Sequence, residues 1–251
     1  MRRLLYWYVP FFAAVIAAGV FGYGLVSWLR GDTGTVVDLA PRAVQSAPSR
    51  TKITPLILGD SLARGTGDQT GLGIGGRLVD DLKKRNIDVQ RATNLAVDGA
   101  RTADLLKRLQ SHNVLEVAAQ SNAIVISIGG NDLWGGTDWR NAPPRDPDAV
   151  MGRVLDHIAE AVKQLRGVNP TARIFIVGLY NPFVSTPNGA LLTPLVLRWN
   201  ARMTERFSGD ANVVVVPTAD LFAYRDRLSP DRFHPSGEGY ALIARRIADS
   251  F

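Results

Sequence analysis

Three short segments, far apart in the chain, carry residue types that together can perform nucleophilic catalysis: Gly59-Asp60-Ser61-Leu62, Gly129-Gly130-Asn131-Asp132 and Asp231-Arg232-Phe233-His234. A serine hydroxyl does not attack a carbonyl at neutral pH unaided. It needs an imidazole to take its proton, a carboxylate to orient that imidazole, and donors to hold the oxyanion. Histidine narrows the choice, because the chain has only His112, His157 and His234. His157 falls within an amphipathic helical stretch, where a surface or packing role is expected. His112 falls at a helix end, where an imidazole can cap carbonyls. His234 alone follows a carboxylate by three residues in a loop-like segment, with Pro235-Ser236-Gly237 then opening a helix. That spacing lets Asp231 bond one ring nitrogen while the other faces a serine. Gly-Asp-Ser by itself also suits a turn or a helix N-cap, and no Gly-x-Ser-x-Gly surrounds Ser61, so the sharp elbow of the α/β-hydrolases is not indicated.

Hydrophobic periodicity supplies the elements that must bring these segments together. Short apolar runs predict strands over 55–58, 89–96, 123–128, 173–179 and 212–217, and helical periodicity predicts helices over 74–85, 102–110, 148–166, 191–207 and 237–248. Regular alternation of strand and helix implies a parallel sheet sandwiched by helices, because each right-handed crossover lays its helix on one face. The motifs follow strand ends, and in such sheets binding sites form at the carboxyl ends of the strands.

Taken with Asn94-Leu95-Ala96-Val97-Asp98-Gly99-Ala100, the three segments resemble the motifs of the SGNH (GDSL) hydrolase family, in the family's order, from about Thr54 to the C-terminus. The resemblance implies a three-layer α/β/α, flavodoxin-like domain with a five-stranded parallel sheet in the order 2-1-3-4-5. It implies Ser61, Asp231 and His234 as the catalytic triad and the Ser61 and Gly99 backbone N–H groups with the Asn131 amide as the oxyanion hole. Losing one such donor typically raises the barrier by about 2.7–4 kcal/mol. Asp60 and Asp132 are expected to bond loop backbone beside the site.

Composition excludes several alternatives. The 251 residues carry a net charge of +6, but residues 1–52 hold Arg2, Arg3, Arg30, Arg42, Arg50 and Lys52 against Asp32 and Asp38, which leaves +2 for the remainder. With no basic stripe interleaved with aromatics, nucleic-acid binding is not expected. The absence of cysteine removes disulfides, thiolate metal sites and a cysteine nucleophile. Gly71-x-Gly73-x-x-Gly76 matches a dinucleotide fingerprint by spacing, yet it stands well beyond its strand rather than in the tight turn after it, so no nucleotide is expected. Neither metal nor organic cofactor is implied.

The N-terminus differs from the rest. Leu4 to Leu29 contains no charged side chain, with Tyr6, Trp7, Tyr8, Tyr23 and Trp28 near its ends. A bilayer-spanning helix needs about 20 residues and favours aromatics at its flanks, whereas a signal peptide's apolar core is usually about 7–15. Residues 1–30 are therefore expected to be a single transmembrane anchor, 31–51 a flexible linker and 52–251 an extracytoplasmic hydrolase domain at the cell membrane. The expected function is hydrolysis of carboxylic esters of lipid or lysophospholipid type through an acyl-serine intermediate. The alternatives are O-acetyl ester hydrolysis or acyl transfer on envelope polysaccharide, and a catalytically silent binding module.

Overall fold

The computed structural model describes residues 2–29, 52–134, 146–184, 186, 189–223 and 225–251. The chain divides into two compact units, Met1–Ala40 and Pro41–Phe251. In the first, α1 runs from Arg2 to Leu29. The linker expected over 31–51 lies outside the described residues. The expectation of an anchor is met only as far as a helix: side chains of α1 are described over residues 11–26 alone, and among the described residues no helix is long and apolar enough to cross a membrane. The transmembrane character expected from the sequence is thus not supported here.

The second unit is an α/β domain built on β1 (Pro55–Gly59), β2 (Thr93–Asn94), β3 (Ala123–Ser127), β4 (Arg173–Val177) and β5 (Val213–Val216). All pairings are parallel and the order is β2-β1-β3-β4-β5, as the resemblance implied. The helices are α2 (Ser61–Arg64), α3 (Gly73–Lys84), α4 (Thr102–Arg108), α5 (His112–Ala119), α6 (Gly130–Trp134), α7 (Pro147–Val168), α8 (Gly189–Phe207) and α9 (Gly237–Ala248). Alternate side chains of the central strands feed two cores. Leu56, Leu58, Ile124, Ile126, Ile174 and Ile176 pack with α4, α5, α7 and α8, while Ile57, Val125, Phe175 and Val177 pack with α3 and α9. Covering both faces explains why β1 and β3 are buried at every residue, and why their sequences are unbroken apolar runs instead of alternating ones.

Two expectations need correction. The strand expected over 89–96 shrinks to Thr93–Asn94, with Val89 making only an isolated bridge to Ile53. This is the sheet edge, where Thr93 and Asn94 are exposed, and the Asn94 side chain leaves the ladder to donate to the Ala63 carbonyl at the end of α2. The α5 helix was not expected at all. His112 opens it, exposed, and so does not sit at a carbonyl-rich C-terminus.

The site depends on how β1 ends. Gly59 has φ +135°, and a Cβ there would lie 1.8 Å from the Ser127 carbonyl oxygen of β3. Both the dihedral and the close approach demand glycine. From it the chain turns, the Asp60 N–H donates to Ser127 O at 3.0 Å, and Asp60 caps α2 by accepting from the Leu62 N–H at 3.0 Å. Ser61 is then fixed as the first residue of α2. Gly59→Ala is expected to destabilise the domain by about 3 kcal/mol or more, read from urea unfolding. A loss within about 0.5 kcal/mol, the range of ordinary surface substitutions, would show that the turn tolerates a side chain.

Candidate active site

At the carboxyl edge of the sheet, residues from opposite ends of the domain meet. Ser61 Oγ lies 2.8 Å from His234 Nε2, and His234 Nδ1 lies 2.7 Å from Asp231 Oδ2. The triad types expected from the sequence are therefore in hydrogen-bonding contact, across 173 positions of chain in the case of Ser61 and His234.

Local geometry accounts for the Asp-x-x-His spacing. Asp231 Oδ1 accepts from Ser229 Oγ at 2.7 Å and from the Phe233 and His234 N–H groups at 2.8 and 2.9 Å, which leaves Oδ2 for the imidazole. Arg232, at φ +58°, makes the tight reversal between them. Although burial alone would raise the Asp231 carboxyl, the bonds from Ser229, His234 and the backbone outweigh it and bring the pKa down to about 2. The carboxylate stays ionised and acceptor-only through the range where an imidazole titrates. Ser229 went unnoticed in the sequence. Its position two residues before Asp231, in Ser-Pro-Asp, is the signal that was available.

The loop just before the stretch that mimics a nucleotide fingerprint packs behind the site. A Cβ on Gly67 would lie 2.9 Å from His234 Cβ and 2.8 Å from the Pro235 carbonyl, so this loop backs directly onto the histidine. The loop is held by the buried Asp68, which accepts from Arg77 Nε and Nη2, the Thr70 N–H and hydroxyl, and the Gly73 N–H.

The expected oxyanion donors come from the turn before α4 and from the start of α6. Asn131 opens onto the cavity beside Ser61, and its Nδ2 donates to the Ala100 carbonyl at 2.9 Å, which leaves its second hydrogen for other use. Gly99, at φ +74°, is the third residue of a type II turn closed by the Ala100 N–H to Val97 O, a bond that does not use the Gly99 N–H. Asp132 bonds backbone as expected, at the Thr102 N–H, and also accepts from the Thr102 hydroxyl. His157, expected in a surface or packing role, is half-buried, and its Nδ1 lies 2.9 Å from Thr102 Oγ1.

Between these groups is a cavity of about 50 Å³, lined chiefly by Trp134, Leu179, Pro182 and Phe233 on its apolar side and by Ser61 and Asn131 on its polar side. Among the described residues no cluster of three or more His, Asp or Glu could hold a metal ion.

The model of the GDSL-like lipase/acylhydrolase family matches residues 57–242. The chain belongs to that family. The protein YpmR of Bacillus subtilis (strain 168) is 30% identical over 204 residues, covering 76% of this chain and 78% of that protein. The spore germination lipase LipC of Bacillus licheniformis is 26% identical over 203 residues, covering 76% of this chain and 92% of that protein. Among solved structures, the lipase Lip_vut3 from a goat rumen metagenome aligns with a TM-score of 0.64 at 22% identity, covering 78% of this chain and 96% of that one. The acetylxylan esterase Axe2 of Geobacillus stearothermophilus aligns at 0.58 and 19% identity, covering 80% and 97%. The structural likenesses show the shared fold, and the family match makes this GDSL-family member an ester hydrolase.

Asp60 is the unusual ionisable group beside the site. Its burial, reinforced by the charge of Asp132 and opposed by bonds from the backbone of Leu62 and Ala63, raises its pKa from 3.8 to about 7. The folded state thus binds this proton more tightly than the unfolded chain. Its contribution to stability is complete below about pH 4 and is lost as the pH rises towards 7. Asp60→Asn keeps an oxygen for the Leu62 N–H but does not titrate, so its thermal midpoint relative to the parent should climb steadily between pH 4 and 7. A difference that stays flat across that range would mean that Asp60 titrates as an ordinary carboxylate.

Proposed function

We propose that Ser61, His234 and Asp231 hydrolyse carboxylic acyl esters of lipid type through an acyl-serine intermediate. The observation that carries the reading is the continuous chain of contacts from Asp231 Oδ2 through both imidazole nitrogens to Ser61 Oγ, at 2.7 and 2.8 Å. With Asp231 accepting at Nδ1–H, the neutral imidazole presents its lone pair to the serine hydroxyl. As Ser61 Oγ bonds the ester carbon, its proton passes to Nε2, and Asp231 stabilises the imidazolium without taking the proton. The Ser61 and Gly99 N–H groups and the free hydrogen of the Asn131 amide receive the oxyanion. Collapse of this intermediate breaks the bond to the alcohol, which leaves with the proton from Nε2. Water, deprotonated by the same nitrogen, then attacks the acyl-serine and releases the carboxylic acid.

The apolar wall of Trp134, Leu179, Pro182 and Phe233 favours an acyl chain over a polar group next to the scissile carbonyl. LipC, a spore germination lipase, is a relative in keeping with that class. One observation favours a second reading, O-acetyl ester hydrolysis: about 50 Å³ holds only a few water-sized groups, enough for a very short acyl chain. A series of chromogenic esters from acetate to palmitate separates the two. Lipid-type specificity predicts kcat/KM rising with chain length, and acetyl specificity predicts a steep fall after acetate. Ser61→Ala should abolish turnover of every member of the series, and a serine-directed phosphonate should label the parent at Ser61. Label at another residue, or turnover in the variant, would overturn the serine mechanism.

Placement at a membrane is proposed from the sequence, on the uncharged Leu4–Leu29 run and its aromatic flanks, with the hydrolase unit on the extracytoplasmic side. The full chain should sediment with membranes and resist carbonate extraction, and protease added outside intact cells should cut the domain. Recovery of the full chain in the soluble fraction, or protection of the domain until lysis, would refute that placement.

A further inference from the structure

The turn that bears Gly99 and the helix α6 that bears Asn131 belong to different parts of the chain, and a donor is effective only if it is fixed before charge develops. Three bonds join these two segments. Asn131 Nδ2 donates to the Ala100 carbonyl at 2.9 Å, the Thr102 N–H donates to Asp132 Oδ2 at 3.0 Å, and the Thr102 hydroxyl donates to Asp132 Oδ1 at 2.7 Å. The last of these consumes the only hydrogen that Thr102 Oγ1 has. His157 Nδ1, 2.9 Å from the same oxygen, must therefore be the donor in its contact, so the imidazole carries a hydrogen on Nδ1. Thr102 is 1% exposed, which means that water is not available to replace either bond.

From this connectivity we infer that Thr102 and His157 are positioning residues for the oxyanion site, acting through Asp132. The inference rests on the serine hydrolase reading of the site. His157, on α7, holds the Thr102 hydroxyl in the rotamer that meets Asp132. Asp132 in turn fixes α6, and with it the neighbouring Asn131, against the segment that follows Gly99. The arrangement is a carboxylate, hydroxyl and imidazole in series, lying on the oxyanion side of Ser61 and separate from the Asp231 and His234 pair. Neither Thr102 nor His157 is among the residues lining the cavity, so their effect should fall on kcat and not on ground-state binding.

Thr102→Val preserves shape and removes the hydroxyl, and His157→Ala removes the donor. Each should lower kcat by roughly tenfold, short of the 10²–10³-fold typical when an oxyanion donor is itself removed, and slow phosphonate labelling of Ser61 by a similar factor. KM and the midpoint of the acid limb of kcat/KM should stay at the parent's values, because the His234 pair is not disturbed. The double variant should be no slower than the worse single one, and Thr102→Ser and His157→Gln should recover most of the loss. Parental kcat in Thr102→Val, multiplicative losses in the double variant, or a loss that appears only in KM would each overturn the inference. If His157→Ala does not fold, Thr102→Val against Thr102→Ser still decides the matter. A parent that neither turns over esters nor takes the phosphonate overturns the esterase reading and this inference with it, whereas an active parent with unaffected variants overturns this inference alone.

Discussion

The turn at Gly59 is the joint on which the rest of the site hangs. A parallel sheet presents all its strand ends at one edge, but a catalytic serine there must leave its strand abruptly without entering the adjacent one. Gly59 solves this by approaching the Ser127 carbonyl more closely than any side chain permits, and the Asp60 N–H then bonds that same oxygen. Asp60 caps the short helix that Ser61 begins. The nucleophile's position thus follows from the register of β1 against β3, in which Gly59 pairs with Ser127. The apolar residues that set this register are buried on both faces and make it a property of the whole core.

Around that fixed point, side-chain carboxylates hold the remaining parts. The His234 loop is closed by its own carboxylate, with Asp231 Oδ1 collecting three donors and Oδ2 left for the imidazole. A second carboxylate, Asp68, holds the glycine-rich loop that packs behind His234, and a third, Asp132, ties α4 to α6. Each of these groups is short and close to the backbone it organises. A carboxylate that accepts several N–H or O–H donors is held with little freedom, which is what a site needs if its geometry is to exist before substrate arrives. Asp60 differs in that its burial outweighs the backbone bonds it accepts, and its pKa is raised.

The sequence by itself determined the fold class and singled out the residues that meet at the candidate site. Five apolar runs alternating with helical patterns require a parallel, two-faced sheet, and only His234 among three histidines has a carboxylate at a spacing that can orient it. Those are local signals, legible because strand burial and the Asp-x-x-His turn are written in adjacent residues. Some of what it missed was also local. The Ser229 bond to Asp231 was within reach of a closer reading of Ser-Pro-Asp, and the edge strand over 89–96 was overcalled because apolar content does not reveal whether a strand has one neighbour or two.

Tertiary structure decided what depends on residues brought together from distant positions. It converted Gly71-x-Gly73-x-x-Gly76 from an apparent nucleotide motif into the junction that opens α3, where the Gly73 N–H donates to Asp68, and it gave His157, expected in a surface or packing role, the Thr102 hydroxyl 55 positions away as its acceptor. It also set the cavity, since Trp134, Leu179 with Pro182, and Phe233 come from three separate stretches whose convergence no periodicity encodes. Periodicity and spacing report a residue's relation to its own element. The partner of a buried hydroxyl or imidazole is fixed only when packing of the sheet's two faces brings one element against another.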